Sequence, residues 1–249
     1  MLSELLRAVP LPPGRIVHAT EGAPAFWLSD DPVDAALWRR LDHDGLWPLV
    51  LTTSEVDDPG RPWASGEVWH AGNTAPENHD PEQLMAGWWH GLAEPDPDEE
   101  ELVTDPFGRQ WPGLAPPHPQ RHDPGEAASR LAESLMTERA RLGLVAARRG
   151  SDALVAMGWK GPTNYVSDIG RLASVLRSWE DRFGARVVGL ESHALLHVSV
   201  AAPPVDHEQA LRVAAEHFTF CPENVRTSST IGDYAEELVG STEWGFWWD

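Results

Sequence analysis

Asp168-Ile-Gly-Arg-Leu-Ala-Ser-Val-Leu-Arg-Ser-Trp-Glu-Asp-Arg-Phe-Gly184, with Arg186-Val-Val-Gly-Leu190 close behind it, decides how this chain folds. Ser167 or Asp168 offers an oxygen to the first free N–H groups of a helix. Ile169, Leu172, Leu176, Trp179 and Phe183 follow at helical spacing and form one apolar stripe. Gly184 supplies the stop. Arg186–Leu190 and Ala194-Leu-Leu-His-Val-Ser-Val200 then read as a strand pair.

The alternation continues on both sides. Downstream, Asp206 and Gln209 resemble a capping box for a helix with Leu211, Ala214, Ala215 and Phe218 inside. Thr230 or Asp233 opens a short helix containing Tyr234 and Leu238. Upstream, a helix is expected from about Glu126 to Arg141. Leu144–Ala147 and Ala153–Met157 read as strands joined by the turn Arg149-Gly-Ser-Asp152. Hairpins alternating with single helices predict an α+β fold. Its sheet is expected to be mixed or mainly antiparallel, with helices packed mostly on one face and a smaller N-terminal α/β part.

That N-terminal part is residues 1–92. Asp31-Pro32 and Asp80-Pro81 are helix starts, and Leu46-Trp-Pro-Leu-Val-Leu51 reads as a buried strand. Arg61–Trp69 reads as a turn leading into another strand, and Leu84 and Trp88 are expected on the inner side of the Asp80 helix. Residues 93–125 carry eight prolines and the run Glu94-Pro-Asp-Pro-Asp-Glu-Glu-Glu101. Such a segment buries too little apolar area to offset its ordering entropy, so it reads as a linker or surface crossing before a C-terminal α+β domain at 126–249.

The chain has 249 residues and a net charge of −20. That field repels nucleic acid and anionic membranes and attracts cationic partners. No apolar run approaches the length of a bilayer span, and the N-terminus does not resemble a secretory signal. With the single cysteine Cys221 there is no internal disulfide framework, so the cytoplasm is the expected location. Eleven histidines invite a metal reading, but none is spaced with partners as a ligand set, and no metal or cofactor is expected. Dinucleotide, phosphate-loop, serine-hydrolase and zinc-protease motifs are all absent.

Thirteen tryptophans are the most unusual feature. In Trp244-Gly-Phe-Trp-Trp-Asp249 the aromatics form either a stacking platform or a chain end pinned into the core, with Phe246 and Trp248 on one side and Trp247 on the other. Trp63, Trp69 and Trp89 in the acidic half are candidates for an exposed, partner-binding aromatic patch. Cys221, with His217 four residues earlier, is a candidate nucleophile or a small buried hydrophobe. Arg177 and Asp181 are spaced for a helix-face ion pair, with an arginine clamp for an acidic ligand as the sharper reading.

Gly158-Trp-Lys-Gly-Pro-Thr-Asn-Tyr165, Val175-Leu-Arg-Ser-Trp-Glu-Asp-Arg-Phe-Gly-Ala185, Ala214-Ala-Glu-His-Phe-Thr-Phe-Cys-Pro-Glu-Asn224 and the terminal tryptophan block together resemble bacterial proteins grouped as domain of unknown function 4253. The resemblance implies a C-terminal α+β domain and carries over no catalytic residue. Glu223 stands where the family more often has aspartate.

The leading expectation is a non-enzymatic acidic interaction protein, immunity-like or regulatory, that binds a basic protein. The rival is an uncharacterised enzyme or small-ligand-binding protein. Its pocket would lie in the C-terminal domain near Trp159, Asn164, Arg177, Arg182, Cys221, Trp247 and Asp249. The oligomeric state stays open.

Overall fold

The computed structural model describes residues 2–41, 45–53, 62–93, 103–192, 194–228 and 230–248. In chain order the strands are β1 (Gly14–His18), β2 (Pro24–Ser29), β3 (Trp47–Thr52), β4 (Arg141–Val145), β5 (Arg186–Glu191), β6 (Leu195–Ser199) and β7 (Glu243–Trp247). They form one seven-stranded sheet in the order β1-β2-β4-β3-β5-β6-β7. Neighbours are antiparallel except β3 and β5, which are parallel. The sheet is mixed and the class is α+β, as expected.

β4 lies beyond the proline-rich segment in sequence, yet it sits between β2 and β3. The expected boundary at 93–125 therefore does not divide the sheet. The described part of that segment is a packed crossing. Val103, Phe107, Trp111 and Leu114 lie against the core. The His118 N–H donates to the Arg182 carbonyl at 3.3 Å, and the Arg121 and His122 N–H groups to that of Ala201 at 3.3 Å each.

Helices cover both faces unequally. On one face α2 (Ala35–Leu41) and α4 (Pro124–Leu135) bury Trp27, Val50, Leu142, Leu144 and Val188, with Leu6 of the short α1 (Leu2–Arg7) against the same cluster. On the other gather α3 (Pro81–Leu92), α5 (Gly150–Met157), α6 (Ile169–Phe183), α7 (His207–Phe220), α8 (Pro222–Arg226) and α9 (Ile231–Leu238). α6 is built as its sequence implies. The Asp168 carboxylate accepts the Gly170 N–H at 2.9 Å, and Gly184 ends the helix at φ 58°. No described helix is long and apolar enough to cross a membrane.

Several expectations need correction. Ala153–Met157 is not a strand but the body of α5. Its first turn is capped from α6, where Glu180 accepts the Ser151 N–H and hydroxyl at 3.3 and 3.1 Å. The helix expected to reach Arg141 stops at Leu135, so Leu142 belongs to β4. In α3 the inner face is Met85 and Trp89, one residue on from the expected Leu84 and Trp88. Residues 62–69 form turns and bends rather than a strand.

Candidate functional site

Both arginines offered as ligand groups are committed to the protein itself. Arg182 forks onto Glu216, Nη1 to Oε1 at 2.7 Å and Nη2 to Oε2 at 2.6 Å. Glu216 is fully buried and also accepts the Ala115 N–H at 2.6 Å and the Trp179 indole N–H at 2.7 Å. A buried carboxylate with both oxygens doubly engaged is a structural pin. Arg177 pairs with Asp152 at 2.6 Å and Glu77 at 3.1 Å. The bond to Asp152 raises the Arg177 pKa above its ordinary value. Asp181, expected to meet Arg177, receives Arg149 instead at 2.7 Å.

The aromatic candidates separate sharply. Trp89 is fully buried among Phe107, Trp111 and Phe218. Trp63 is buried with its ring edge-on to Phe26 and its N–H on the Thr52 carbonyl at 3.0 Å. These two cannot meet a partner. Trp69 is 37% exposed and lies under the Lys160 ammonium, 5.1 Å from the ring centre. Trp159 is buried against Trp248, and Asn164 is exposed in the turn before α6. Asp249 lies outside the described residues.

Cys221 and the terminal strand come together, though not as a reactive pair. The buried thiol donates to the Trp247 carbonyl at 2.9 Å, and burial pushes it up to about 12. His217 is fully buried, with Trp244 and Phe246 at 4.5 and 4.8 Å and its Nδ1 3.0 Å from the Tyr234 hydroxyl. Burial pushes its pKa down to about 3, so the ring is neutral. A protonated thiol and a solvent-excluded imidazole are packing groups rather than nucleophile and base.

Asn224 does more than the sequence suggested. Its Nδ2 donates to the Gly245 carbonyl at 2.5 Å and its Oδ1 accepts the Trp247 N–H at 3.3 Å. One side-chain amide thus gives β7 what a neighbouring strand would give. The Ser241 hydroxyl covers the Glu243 carbonyl at 2.7 Å. β7 is the last strand of the sheet, and side chains meet its outward Glu243, Gly245 and Trp247 carbonyls and the Trp247 N–H, which hinders edge-to-edge pairing.

Beside this edge lies a depression of about 340 Å³, lined in part by Glu223, Asn224, Tyr234, Glu237, Glu243 and Trp247. Trp247 is 46% exposed and Tyr165, whose hydroxyl reaches Glu223 at 3.3 Å, is 45% exposed. Arg226 meets Glu223 at 3.1 Å, and His197 approaches Glu243 at 3.2 Å. Carboxylates and accessible aromatic rings make this end of the sheet suited to cationic groups. A second depression, about 480 Å³ between α2 and α4, sets Arg39 and Arg130 against Asp123 and Glu126. Among the described residues no cluster of three or more His, Cys, Asp or Glu could hold a metal ion.

Residues 141–249 match the family model described as Domain of unknown function (DUF4253). The chain carries a DUF4253 domain. No curated protein and no solved structure matches the chain. The matched region opens at the first residue of β4 and contains α5 to α9 and the whole β7 edge.

The DUF4253 domain is also where residues 69–80 dock. The Thr74 N–H and hydroxyl donate to Asp168 at 2.8 and 2.6 Å, and His79 Nε2 lies 2.5 Å from the same hydroxyl. Desolvation opposes ionisation of Asp168, but the Thr74 bonds outweigh it and hold the carboxyl below its usual range. A hydroxyl bound to so weak a base is not an activated nucleophile. Asn73 Oδ1 accepts from Lys160 at 3.0 Å and from the Ile169 N–H at 3.2 Å. At Gly170 a Cβ would lie 2.1 Å from the Thr74 carbonyl, so the loop seats only on glycine. The cluster is a clasp. Sequence reasoning saw Asp168 only as a helix cap, because its partners lie far upstream.

Proposed function

We propose that the protein is a non-enzymatic interaction protein of the bacterial cytoplasm that binds a basic protein through the acidic, aromatic end of its sheet. The observation that carries this is Trp247, which stands exposed beside Glu243 and the Glu223–Glu237 depression while its neighbours Phe246 and Trp248 are buried. A large accessible aromatic ringed by carboxylates is the makeup of a binding hot spot for cationic side chains. The net charge of −20 supports long-range attraction of such a partner and disfavours nucleic acid. The single, protonated thiol fits a reducing compartment. The rival enzyme reading has less support, since Arg177, Arg182 and Cys221 are engaged within the fold.

A tagged pull-down from the native cell, at low and high salt, tests the proposal. Wild type should retain a basic protein stoichiometrically at low salt and release it at high salt. The Glu237→Arg/Glu243→Arg variant should not retain it. No partner, or one held equally by the variant, would overturn the reading.

A further inference from the structure

The outer face of β6 and β7 is where the helix layer runs out. Trp244, Phe246 and Trp248 join the core around Trp179, so alternation turns Glu243, Gly245 and Trp247 the other way. Leu195, His197 and Ser199 of β6 stand opposite Trp247, Gly245 and Glu243 on that same face. Among the described helices, α4 is the one that packs on β5 and β6 from this face. Beyond it, among the described residues, nothing lies within 4 Å of where a Gly245 Cβ would stand. Leu195 and Trp247 form an apolar cross-strand pair over this open floor. Glu191 and Glu243, both partly exposed, flank it on either side of His197 at 3.8 and 3.2 Å.

Resting on the reading above, we infer that the partner element seated here is a basic amphipathic helix lying on β6 and β7 beside α4. An added strand is disfavoured by the edge itself, where Asn224, Cys221 and Ser241 already occupy the Gly245, Trp247 and Glu243 carbonyls and the Trp247 N–H. A helix needs no backbone bonds from the sheet, and it packs at about 8–10 Å from a neighbouring helix, which is the place left free next to α4. Its apolar stripe meets Leu195, Gly245 and Trp247. Its arginines and lysines meet Glu191 and Glu243, with Glu223 and Glu237 around the edge.

The experiment is amide NMR on the full chain with three synthetic peptides of about 18 residues, long enough for five helical turns. The first has leucine at helical spacing and arginine elsewhere. The second has the same composition with leucine alternating as in a strand. The third replaces arginine by glutamate. The first should bind and shift the resonances of Leu195, Gly245 and the Trp247 indole. Trp247→Ala and Gly245→Arg should each weaken it at least about tenfold, and Trp69→Ala should leave it unchanged. Equal binding of the second peptide, shifts confined to Glu223 and Glu237, or no binding of the first would each overturn the helix inference. If the pull-down still yields a basic partner, that failure leaves the proposed function standing. Failure of both experiments removes both readings.

Discussion

The two faces of β7 give the same kind of side chain opposite fates. Trp244 packs within 5.7 Å of Trp179 and Phe183, Phe246 stacks on Trp179 at 5.3 Å, and Trp248 meets Trp159 and Phe220. Trp247, one residue from two of them, is 46% exposed. Tryptophan content alone therefore says nothing about binding; the parity of a residue along its strand decides whether it holds the fold or meets another molecule.

The sharpest test is to truncate the inner face. Trp244→Ala should cost about 3–5 kcal/mol of stability in urea unfolding. A loss within about 0.5 kcal/mol would erase the distinction between the faces. The pin behind that face should matter nearly as much. Glu216→Ala strands the Arg182 charge in the interior and should also cost about 3–5 kcal/mol, whereas Arg182→Met/Glu216→Leu together should recover most of it.

Acid should undo the inner face before the outer one. His217 is neutral and its folded pKa, about 3, lies below the ordinary 6.5. The unfolded chain thus binds the extra proton, and the stability this gives is complete above pH 6.5 and lost as pH falls toward 3. The loss should reach about 2 kcal/mol by pH 5, from about 1.4 kcal/mol per pH unit. His217→Phe should flatten that slope in pH-dependent unfolding.

Asn224→Ala opens the edge between the faces. It should cost about 1–3 kcal/mol through unmet backbone groups and promote self-association, seen as a concentration-dependent mass in light scattering. The smallest effect is expected on the outer face, where Trp247→Ala should change stability by less than about 0.5 kcal/mol.

What could be read from the sequence was local. Helix α6 was legible because its cap, stripe and stop lie within one stretch. The split of Phe246 and Trp248 from Trp247 was legible because strand alternation is local too. α5 was misread because five apolar residues fit either a buried strand or a short helix, and its capping carboxylate, Glu180, sits on another helix. Trp63 and Trp89 were misplaced because the bodies that cover them, Phe26 and Phe218 among others, are distant in sequence. Arg182 passed for a ligand group because Glu216 lies 34 residues away. Asn224 stands in a recognisable sequence block, but its edge-covering role needs Gly245 and Trp247 in place.

The place of β4 between β2 and β3 has a consequence in time. The ribosome makes β1, β2 and β3 first, and β1 can close on β2 at once. β3 cannot: both of its neighbours, β4 and β5, are translated later, from Arg141 and Arg186 onward. Trp47–Leu51, every residue of it destined for the interior, must therefore travel as an open apolar strand while some ninety residues, the proline-and-acid run among them, emerge behind it. The nascent chain is at its stickiest in that interval, and the net charge of −15 on residues 1–124 opposes its association with like chains.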